Sequence, residues 1–383
     1  MNSKQKKISV YPPLSPLALI WSQDKSWRES FPFSEPSGFW GFCGRVGLYH
    51  GLDRLNLRQG STILVPVYFQ GTEIDTLVAK GFKLKYYKID KLLNADLGDI
   101  ENKLNDEVTA LYIIHYFGFP QPIDMLLLFC RDNNLKLIED CALSLYSKHK
   151  DAWLGSFGDL SFFSVYKTIA LPHGGFAITK DVDPPKLELT PPSFMSTMVQ
   201  TKDSIFNYLQ SSSFSFIASV LGLLSRLIRK LVGWNREQTI SSGVAVWDKR
   251  LIKISASKSI MKLMGQMSMS KIISKRRENY LLLDSLIKEH FTTIFPELPD
   301  GVCPLFYPII VDNRIMWNRK LKESNIGTAT VWLPHHPSCP DEIAQTVSYL
   351  RENLLELPIH QSLNENDIRY IAETIIDLKA KGF

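Results

Sequence analysis

The stretch LKLIEDCALSLYSKHKDAWLGSFGDLSFFSVYKTIALPHGGFAI, residues 135–178, decides the fold. Its opening apolar run ends in Glu139-Asp140, and such a run followed by an acid indicates a buried parallel strand with a functional group at its carboxyl end. Asp159–Ser164 has the pattern of a second short strand, and Phe176–Thr179 that of a third. We therefore expect an open α/β sheet, whose ligands bind outside the carboxyl ends of its strands.

An acid, a hydroxyl and an amine follow these strands within 28 residues: Asp140, Ser164 and Lys167. The three groups suit pyridoxal phosphate. A lysine forms a Schiff base with its aldehyde, and a carboxylate keeps its pyridine nitrogen protonated, so that the ring accepts electrons. A hydroxyl and backbone N–H groups hold its phosphate. The spacing alone does not single out this cofactor.

The same stretch resembles the DegT-type sugar aminotransferases, which are fold type I enzymes that depend on pyridoxal phosphate. That family typically carries E-D-x-A at a strand end, then G-S-F-G-D, then F-S-x-x-K or a longer form, and a G-G turn seven residues past the lysine. The matching segments here are Glu139–Ala142, Gly155–Asp159, Phe163–Lys167 and Gly174-Gly175. The resemblance covers about residues 38–180 closely and 270–383 loosely.

Each of these residues has an ordinary alternative when it is taken alone. A strand-end acid such as Asp140 often caps a helix, and a lysine such as Lys167 is most often a surface residue. Their combination with Ser164 and the double glycine favours a cofactor site.

A segment near residue 44 is predicted to receive the cofactor phosphate. Three leucines at helical spacing predict a helix over Phe39–Leu57. The resemblance implies that a helix N-terminus at Gly44 binds the phosphate, with Arg45 where the family has threonine. The alternative is a glycine at a helix start followed by an exposed arginine.

The chain departs from the family pattern at other positions. Ser61–Pro66 is predicted to be a buried strand, and the resemblance places Gln70 where the family has an aromatic ring or histidine against the cofactor. Phe69 or Tyr68 would be the substitute. Leu143 stands where the family usually has glutamine or histidine bonded to the cofactor's ring hydroxyl. The family's asparagine-bearing segment, which reaches the partner subunit's phosphate, is not recognisable.

The predicted fold class is α/β, a fold type I transferase with a mostly parallel central sheet flanked by helices and a small C-terminal α/β domain. The 383 residues suffice for a large domain and a smaller one. Ser255–Ile287 is predicted to be one long helical stretch. The predicted division is an N-terminal arm 1–37, a cofactor-binding domain 38–185, an inserted helical segment 186–245, connecting helices 246–290, and the small domain 291–383.

Composition excludes some classes of partner. The net charge of +5 with a pI of about 8.7 is too weak to argue for nucleic acid.

The basic N-terminus has no apolar core after it, so a signal peptide is not expected. Five scattered cysteines without a C-x-x-C pair indicate reduced thiols, and hence a cytoplasmic protein. No metal site is predicted, because the spacing of His335, His336 and His360 matches no common zinc pattern.

Residues 204–225 contain no charged side chain, and they lead into three basic residues. Apolar positions recur at helical spacing from Ile217 to Leu231. Three interpretations remain open: a helix packed on the protein or at a dimer interface, a basic amphipathic helix over 204–234 that lies on a membrane, and a spanning helix.

The resemblance implies a homodimer with its active site at the subunit interface. Lys167 would hold the cofactor and then move a proton from the amino donor's Cα to the cofactor's C4′, while Asp140 stabilises the protonated pyridine. The donor, glutamate in most relatives, would supply the amino group for a keto group of a nucleotide-linked sugar. Family members with dehydratase chemistry have histidine at this lysine, so Lys167 favours transamination. The alternative is a catalytically altered relative with a binding, regulatory or membrane-associated role.

Overall fold

The structure is a computed structural model that describes residues 6–21, 24–180, 187–211, 248–266, 268–329, 332 and 336–383. Its strands are β1 Phe39–Gly41, β2 Thr62–Pro66, β3 Lys83–Tyr87, β4 Val108–Ile114, β5 Lys136–Asp140, β6 Lys148–His149, β7 Ala152–Trp153, β8 Leu160–Phe163, β9 Gly175–Thr179, β10 Phe306–Ile310 and β11 Leu354–Pro358. Its α-helices are Ala18–Trp21, Gly44–Arg54, Thr72–Ala79, Leu97–Lys103, Ile123–Asp132, Val165–Thr168, Phe194–Gln210, Lys258–Leu263, Met269–Ile287, Arg314–Glu323, Asp341–Ala344, Ser348–Asn353 and Glu365–Ala380.

A seven-stranded sheet forms the centre of the molecule, in the order β1-β9-β8-β5-β4-β2-β3. The five strands from β8 to β3 are mutually parallel, whereas β9 runs antiparallel to β8 and β1 antiparallel to β9. Every residue of β2, β8 and β9 is buried, as expected for strands covered on both faces. The mostly parallel α/β sheet predicted from the sequence is confirmed.

The parallel order brings the carboxyl ends of four strands to one edge. β5 lies between β4 and β8, and β4 pairs with β2 on its other side. The crossover helix Ile123–Asp132 covers this region and buries Ile123, Leu126, Phe129 and Cys130. Residues that follow β2, β5 and β8 therefore meet at the same edge.

The C-terminal part contains a second, two-stranded sheet. β10 and β11 pair antiparallel, from Phe306 opposite Pro358 to Ile310 opposite Leu354. The last helix, Glu365–Ala380, begins with a capping box at Asn364, which satisfies backbone N–H groups of its first turn. Its inner face buries isoleucines at helical spacing, in the same core cluster as residues of the central sheet.

The predicted helix over Phe39–Leu57 is wrong in its first third. Phe39–Gly41 forms strand β1 at the edge of the sheet, and the helix is confined to Gly44–Arg54. Pairing with β9 determines this strand, and such a contact is invisible in local periodicity. A Cβ at Gly41 would lie 2.6 Å from the Cβ of Val46, so the chain turns tightly between strand and helix.

The long helical stretch predicted over Ser255–Ile287 is interrupted in the structure. It consists of Lys258–Leu263 and Met269–Ile287, with a 3₁₀ turn between them. A Cβ at Gly265 would lie 2.1 Å from the Asp24 carbonyl oxygen. The N-terminal arm therefore packs directly against the break between the two helices.

Only the first residues of the charge-free segment 204–225 lie within the described ranges. The helix Phe194–Gln210 is capped at its N-terminus by Ser193, whose hydroxyl accepts the Ser196 N–H. The predicted amphipathic helix from Ile217 to Leu231 lies outside the described residues, as does most of 204–234. Within the described ranges, no helix is both long and apolar enough to cross a bilayer.

Candidate active site

A cavity of about 190 Å³ opens at the carboxyl ends of β2, β4, β5 and β8. The structure brings all six residues nominated from the sequence to its wall: Gly44, Arg45, Gln70, Asp140, Ser164 and Lys167. They come from four separate segments of the chain, so the parallel sheet is what assembles them.

Asp140, the last residue of β5, is 6% exposed. Its Oδ2 accepts the Tyr112 hydroxyl at 2.6 Å, and its Oδ1 accepts the Ala142 N–H at 2.8 Å. Burial and the charge of Glu73 raise the pKa of Asp140 to about 7, while the two hydrogen bonds and Lys167 act in the other direction. The carboxylate is therefore poised to take a cationic partner inside the cavity.

Lys167 lies in the single turn of helix Val165–Thr168 that follows β8. Burial lowers the pKa of its amine, although the negative charges of Asp140 and Glu73 oppose that effect. A lowered pKa increases the neutral fraction of the amine, and the neutral form is the one that attacks a carbonyl.

A buried arginine fixes the turn that carries this lysine. Arg276 is 1% exposed and donates to the carbonyl oxygens of Thr168, Pro304 and Leu305 at 3.1–3.2 Å. Gln361 donates to the same Thr168 oxygen at 2.9 Å. The main chain directly after Lys167 is thus tied to the C-terminal part. Sequence reasoning did not find this role for Arg276, although the residue belongs to a helix that resembles the family's linking helix.

The helix Gly44–Arg54 points its N-terminus at the cavity. Its cap residue, Cys43, makes no side-chain hydrogen bond to the first turn. A Cβ at Gly44 would lie 2.8 Å from the Ser164 hydroxyl oxygen, so glycine allows the helix start to approach that hydroxyl. Arg45 is 9% exposed and lines the cavity, which rules out the alternative of an exposed arginine. Backbone N–H groups, a hydroxyl and a guanidinium together suit an anionic group.

The loop after β2 forms the opposite wall. The Gln70 N–H donates to the Glu73 carboxylate at 2.7 Å, across Gly71, whose φ is +113°. Tyr68 and Phe69, the aromatic substitutes considered from the sequence, are fully buried core residues that do not line the cavity. Leu143 does line it, as an apolar side chain.

Sequence reasoning missed several side chains of this wall. The aromatic residues at the cavity include Tyr11, Tyr166 and Trp332, and Glu73 adds an acid. Tyr11 and Trp332 are far in sequence from the motif, so no local pattern could have assigned them. Glu73 could have been noticed as an acid three residues after Gln70.

Several histidines of the described ranges make side-chain contacts within the protein. His115 Nδ1 accepts the Gln121 N–H, so its Nε2 carries the proton and donates to Glu139 at 2.9 Å. Cys141 is close enough to complete a metal-binding trio with these two, but both ring nitrogens of His115 are already used. Of the histidines considered from the sequence, His336 contacts Asp75, and His360 lies 3.0 Å from the Ser9 carbonyl oxygen. His335 is outside the described residues.

Comparisons with known proteins agree with this geometry. The model of the DegT/DnrJ/EryC1/StrS aminotransferase family matches residues 43–188, which include Gly44, Gln70, Asp140, Ser164 and Lys167. A GDP-perosamine synthase of Escherichia coli O157:H7 is 30% identical over 141 residues, or 36% of this chain and 39% of the synthase. The chain therefore matches less than two-fifths of the length of that relative. A dTDP-4-dehydro-2,3,6-trideoxy-D-glucose 4-aminotransferase of Saccharopolyspora spinosa is 22% identical, over 86% of this chain and 81% of that enzyme.

Solved structures show the same fold. An aminotransferase of pseudoaminic acid biosynthesis from Helicobacter pylori superposes with a TM-score of 0.66 at 16% identity, over 97% of this chain and 99% of that one. The E. coli GDP-4-keto-6-deoxy-D-mannose-3-dehydratase with bound hydrated PLP gives a TM-score of 0.63 at 18% identity, over 93% and 91% of the two chains. At these identities the likeness establishes the fold alone.

Proposed function

Because residues 43–188 match the model of the DegT/DnrJ/EryC1/StrS aminotransferase family, we propose that the chain is a pyridoxal-phosphate-dependent aminotransferase of that family. The observation that carries the proposal is the meeting of a half-buried amine, Lys167, and a buried carboxylate, Asp140, in one cavity beside a helix N-terminus. The relatives named as a GDP-perosamine synthase and a dTDP-sugar 4-aminotransferase support a keto group of a nucleotide-linked sugar as the acceptor.

The cavity fits the cofactor at both of its charged ends. Gly44, Arg45 and Ser164 form a side suited to the phosphate, and the space that a Cβ at Gly44 would fill shows why glycine is needed there. Asp140 forms a side suited to a protonated ring nitrogen. When bound, the cofactor would supply an electron-accepting ring that stabilises negative charge at the carbon from which a proton leaves.

The chain's own residues have separable tasks in this proposal. Lys167 would hold the cofactor through its amine, and the amine, once free, would carry the proton that leaves the donor's Cα. Its lowered pKa favours the neutral amine that this task requires. Asp140 keeps a proton on the ring nitrogen. Arg276 and Gln361 orient the turn through the Thr168 carbonyl oxygen, so that the amine stays directed at the cavity.

Three further features are part of the proposal. Glutamate as donor and a homodimer with a shared active site follow from the resemblance. Cytoplasmic location is supported by five cysteines that are all buried and unpaired. Contact of 204–234 with the inner face of a membrane or with a partner is supported by the exposed apolar residues that open the preceding helix: Phe194, Met195 and Met198.

The decisive experiment is an absorbance spectrum of the purified protein with added pyridoxal phosphate, followed by borohydride reduction and peptide mapping. We expect a Schiff-base band that reduction fixes onto Lys167 and that is absent in Lys167→Ala. Addition of glutamate should then convert the band to that of the pyridoxamine form. The surface variant Lys91→Ala is the matched control and should keep the band.

The absence of a band in the wild-type protein, even with excess cofactor, would contradict the proposal. It would favour the binding or regulatory relative, in which Gln70 and Leu143 have removed the ring contacts. If the band forms but glutamate leaves it unchanged, the cofactor is supported and glutamate is rejected as the amino donor.

A further inference from the structure

Glu73 is a buried acid in the cavity wall that the functions above do not use. It belongs to the first turn of helix Thr72–Ala79, is 7% exposed, and shares the cavity with Asp140 and Lys167. Among the described residues, no lysine, arginine or histidine lies within ion-pair distance of its carboxylate. Its carboxylate accepts the Gln70 N–H at 2.7 Å and the Thr72 hydroxyl at 3.4 Å.

A carboxylate in this environment calls for a positive charge. Removing an ion from water is costly unless a counter-ion or several hydrogen bonds compensate, and Glu73 has one strong hydrogen bond. Its position at the helix start supplies part of the compensation. The rest of the desolvation cost can be compensated by a positively charged group bound in the cavity, because Glu73 lines that cavity.

Several titratable groups face Glu73. Its charge acts on Tyr86 from β3, on Tyr112 and Tyr116 from β4 and the turn after it, on Asp140 and on Lys167. Burial raises the pKa of all three tyrosines, to about 12 for Tyr86, so they stay neutral near neutral pH. Arg45 and Cys43 line the same cavity.

We propose that Glu73 is a second ligand-binding anion beside Asp140, and that it favours the form of bound pyridoxal phosphate whose ring system is protonated. The proposal rests on the proposed function. It assigns to the loop after β2 an electrostatic role, in place of the aromatic contact that Gln70 cannot make. An anion near a protonated group favours its protonated form, so Glu73 raises the pH at which the bound chromophore loses its proton.

The substitution Glu73→Gln separates this role from a structural one. Glutamine keeps the oxygen that accepts the Gln70 N–H and removes only the charge. We expect the pH midpoint of the bound chromophore's absorbance change to fall by about one unit, and the cofactor's dissociation constant to rise several-fold. Glu73→Asp should restore the midpoint. Asp75→Asn, on the same helix but paired with His336, is the control and should leave it unchanged.

The outcomes are distinguishable. If wild type forms no chromophore, the proposed function fails and this proposal fails with it. If wild type forms one and Glu73→Gln titrates at the same pH, Glu73 only braces the loop and the inference is overturned. If Glu73→Gln does not fold, Glu73→Thr, a neutral residue that suits a first helical turn, carries the same titration.

Discussion

Two sides of one cavity are built in different ways. At the end of β5, Asp140 is held within the central sheet, because the Tyr112 hydroxyl of β4 and the Ala142 N–H both donate to its carboxylate. The loop after β2 is held from far away: Arg351, 284 positions further along the chain, donates to the Val67 carbonyl oxygen at 3.0 Å. The carboxylate on the β5 side is therefore fixed by the central sheet, whereas the β2 loop, like the turn after Lys167, depends on the packing of the C-terminal part.

If the β5 side carries the chemistry, Asp140→Asn should have the largest effect on activity. The substitution keeps the shape and removes the charge that stabilises a protonated ring, so we expect the turnover rate to fall about 10³-fold. The exposed Asp151→Asn is the control. If the turnover rate falls less than tenfold, the charge that stabilises the protonated ring comes mainly from the β2 side.

The same substitution should stabilise the protein without cofactor. Burial raises the folded-state pKa of Asp140 to about 7, above the 3.8 of an ordinary aspartate. Between these values the folded chain holds a proton that the unfolded chain has released, so the residue costs stability increasingly as pH rises through that window. Urea unfolding should show Asp140→Asn more stable than wild type by roughly 2–4 kcal/mol at pH 8 and by almost nothing at pH 4.

The neighbouring acid tests whether the β5 side is also the rigid one. Glu139 is fully buried and accepts the N–H groups of Gly155, Phe157 and Gly158 and the Nε2–H of His115. Glu139→Gln directs an amide donor at these donors, and we expect a loss of about 3 kcal/mol in the free energy of unfolding. The exposed Glu101→Gln should cost under about 0.5 kcal/mol. Equal effects in urea unfolding would contradict the assignment.

This contrast explains what the sequence could predict. Apolar runs such as Ser61–Pro66 and Leu135–Ile138 located parallel strands, because buried parallel strands need no long-range information to be recognised. Strand Phe39–Gly41 was missed because its residues pair with residues 134 or more positions away, in β9. In the site, the residues near the motif were placed around one cavity. The members fixed by tertiary packing were not found from the sequence: Tyr11, Glu73, Tyr112, Arg276 and Trp332.

Arg351→Lys tests the long-range support of the β2 side. The guanidinium donates to the carbonyl oxygens of Val67 and Trp332 and lies over the rings of Tyr68 and Phe69. An ammonium cannot reproduce that planar, multi-donor arrangement, so we expect a loss of about 1–3 kcal/mol in unfolding free energy.

The matched control for this variant is Arg369→Lys, an exposed arginine paired with Glu365 one helical turn away. It should cost under about 0.5 kcal/mol. Cofactor affinity, measured by absorbance, should weaken in Arg351→Lys alone, since only Arg351 positions the loop that carries Gln70. If the two variants behave alike, the loop is held by its own hydrogen bonds.

The smallest effect is expected from restoring an aromatic ring in Gln70→Phe. An aromatic contact with the cofactor's ring contributes about 0.5–1.5 kcal/mol, which corresponds to a roughly two- to tenfold tighter dissociation constant. Gln70→Ala is the control for removal of the amide. A gain in Gln70→Phe alone would mean that the β2 side lacks a ring contact that the cavity can accommodate. An unchanged dissociation constant would mean that Tyr11, Tyr166 or Trp332, which already line the cavity, supply the aromatic surface. The aromatic contact of the β2 side would then come from residues that are distant from Gln70 in sequence.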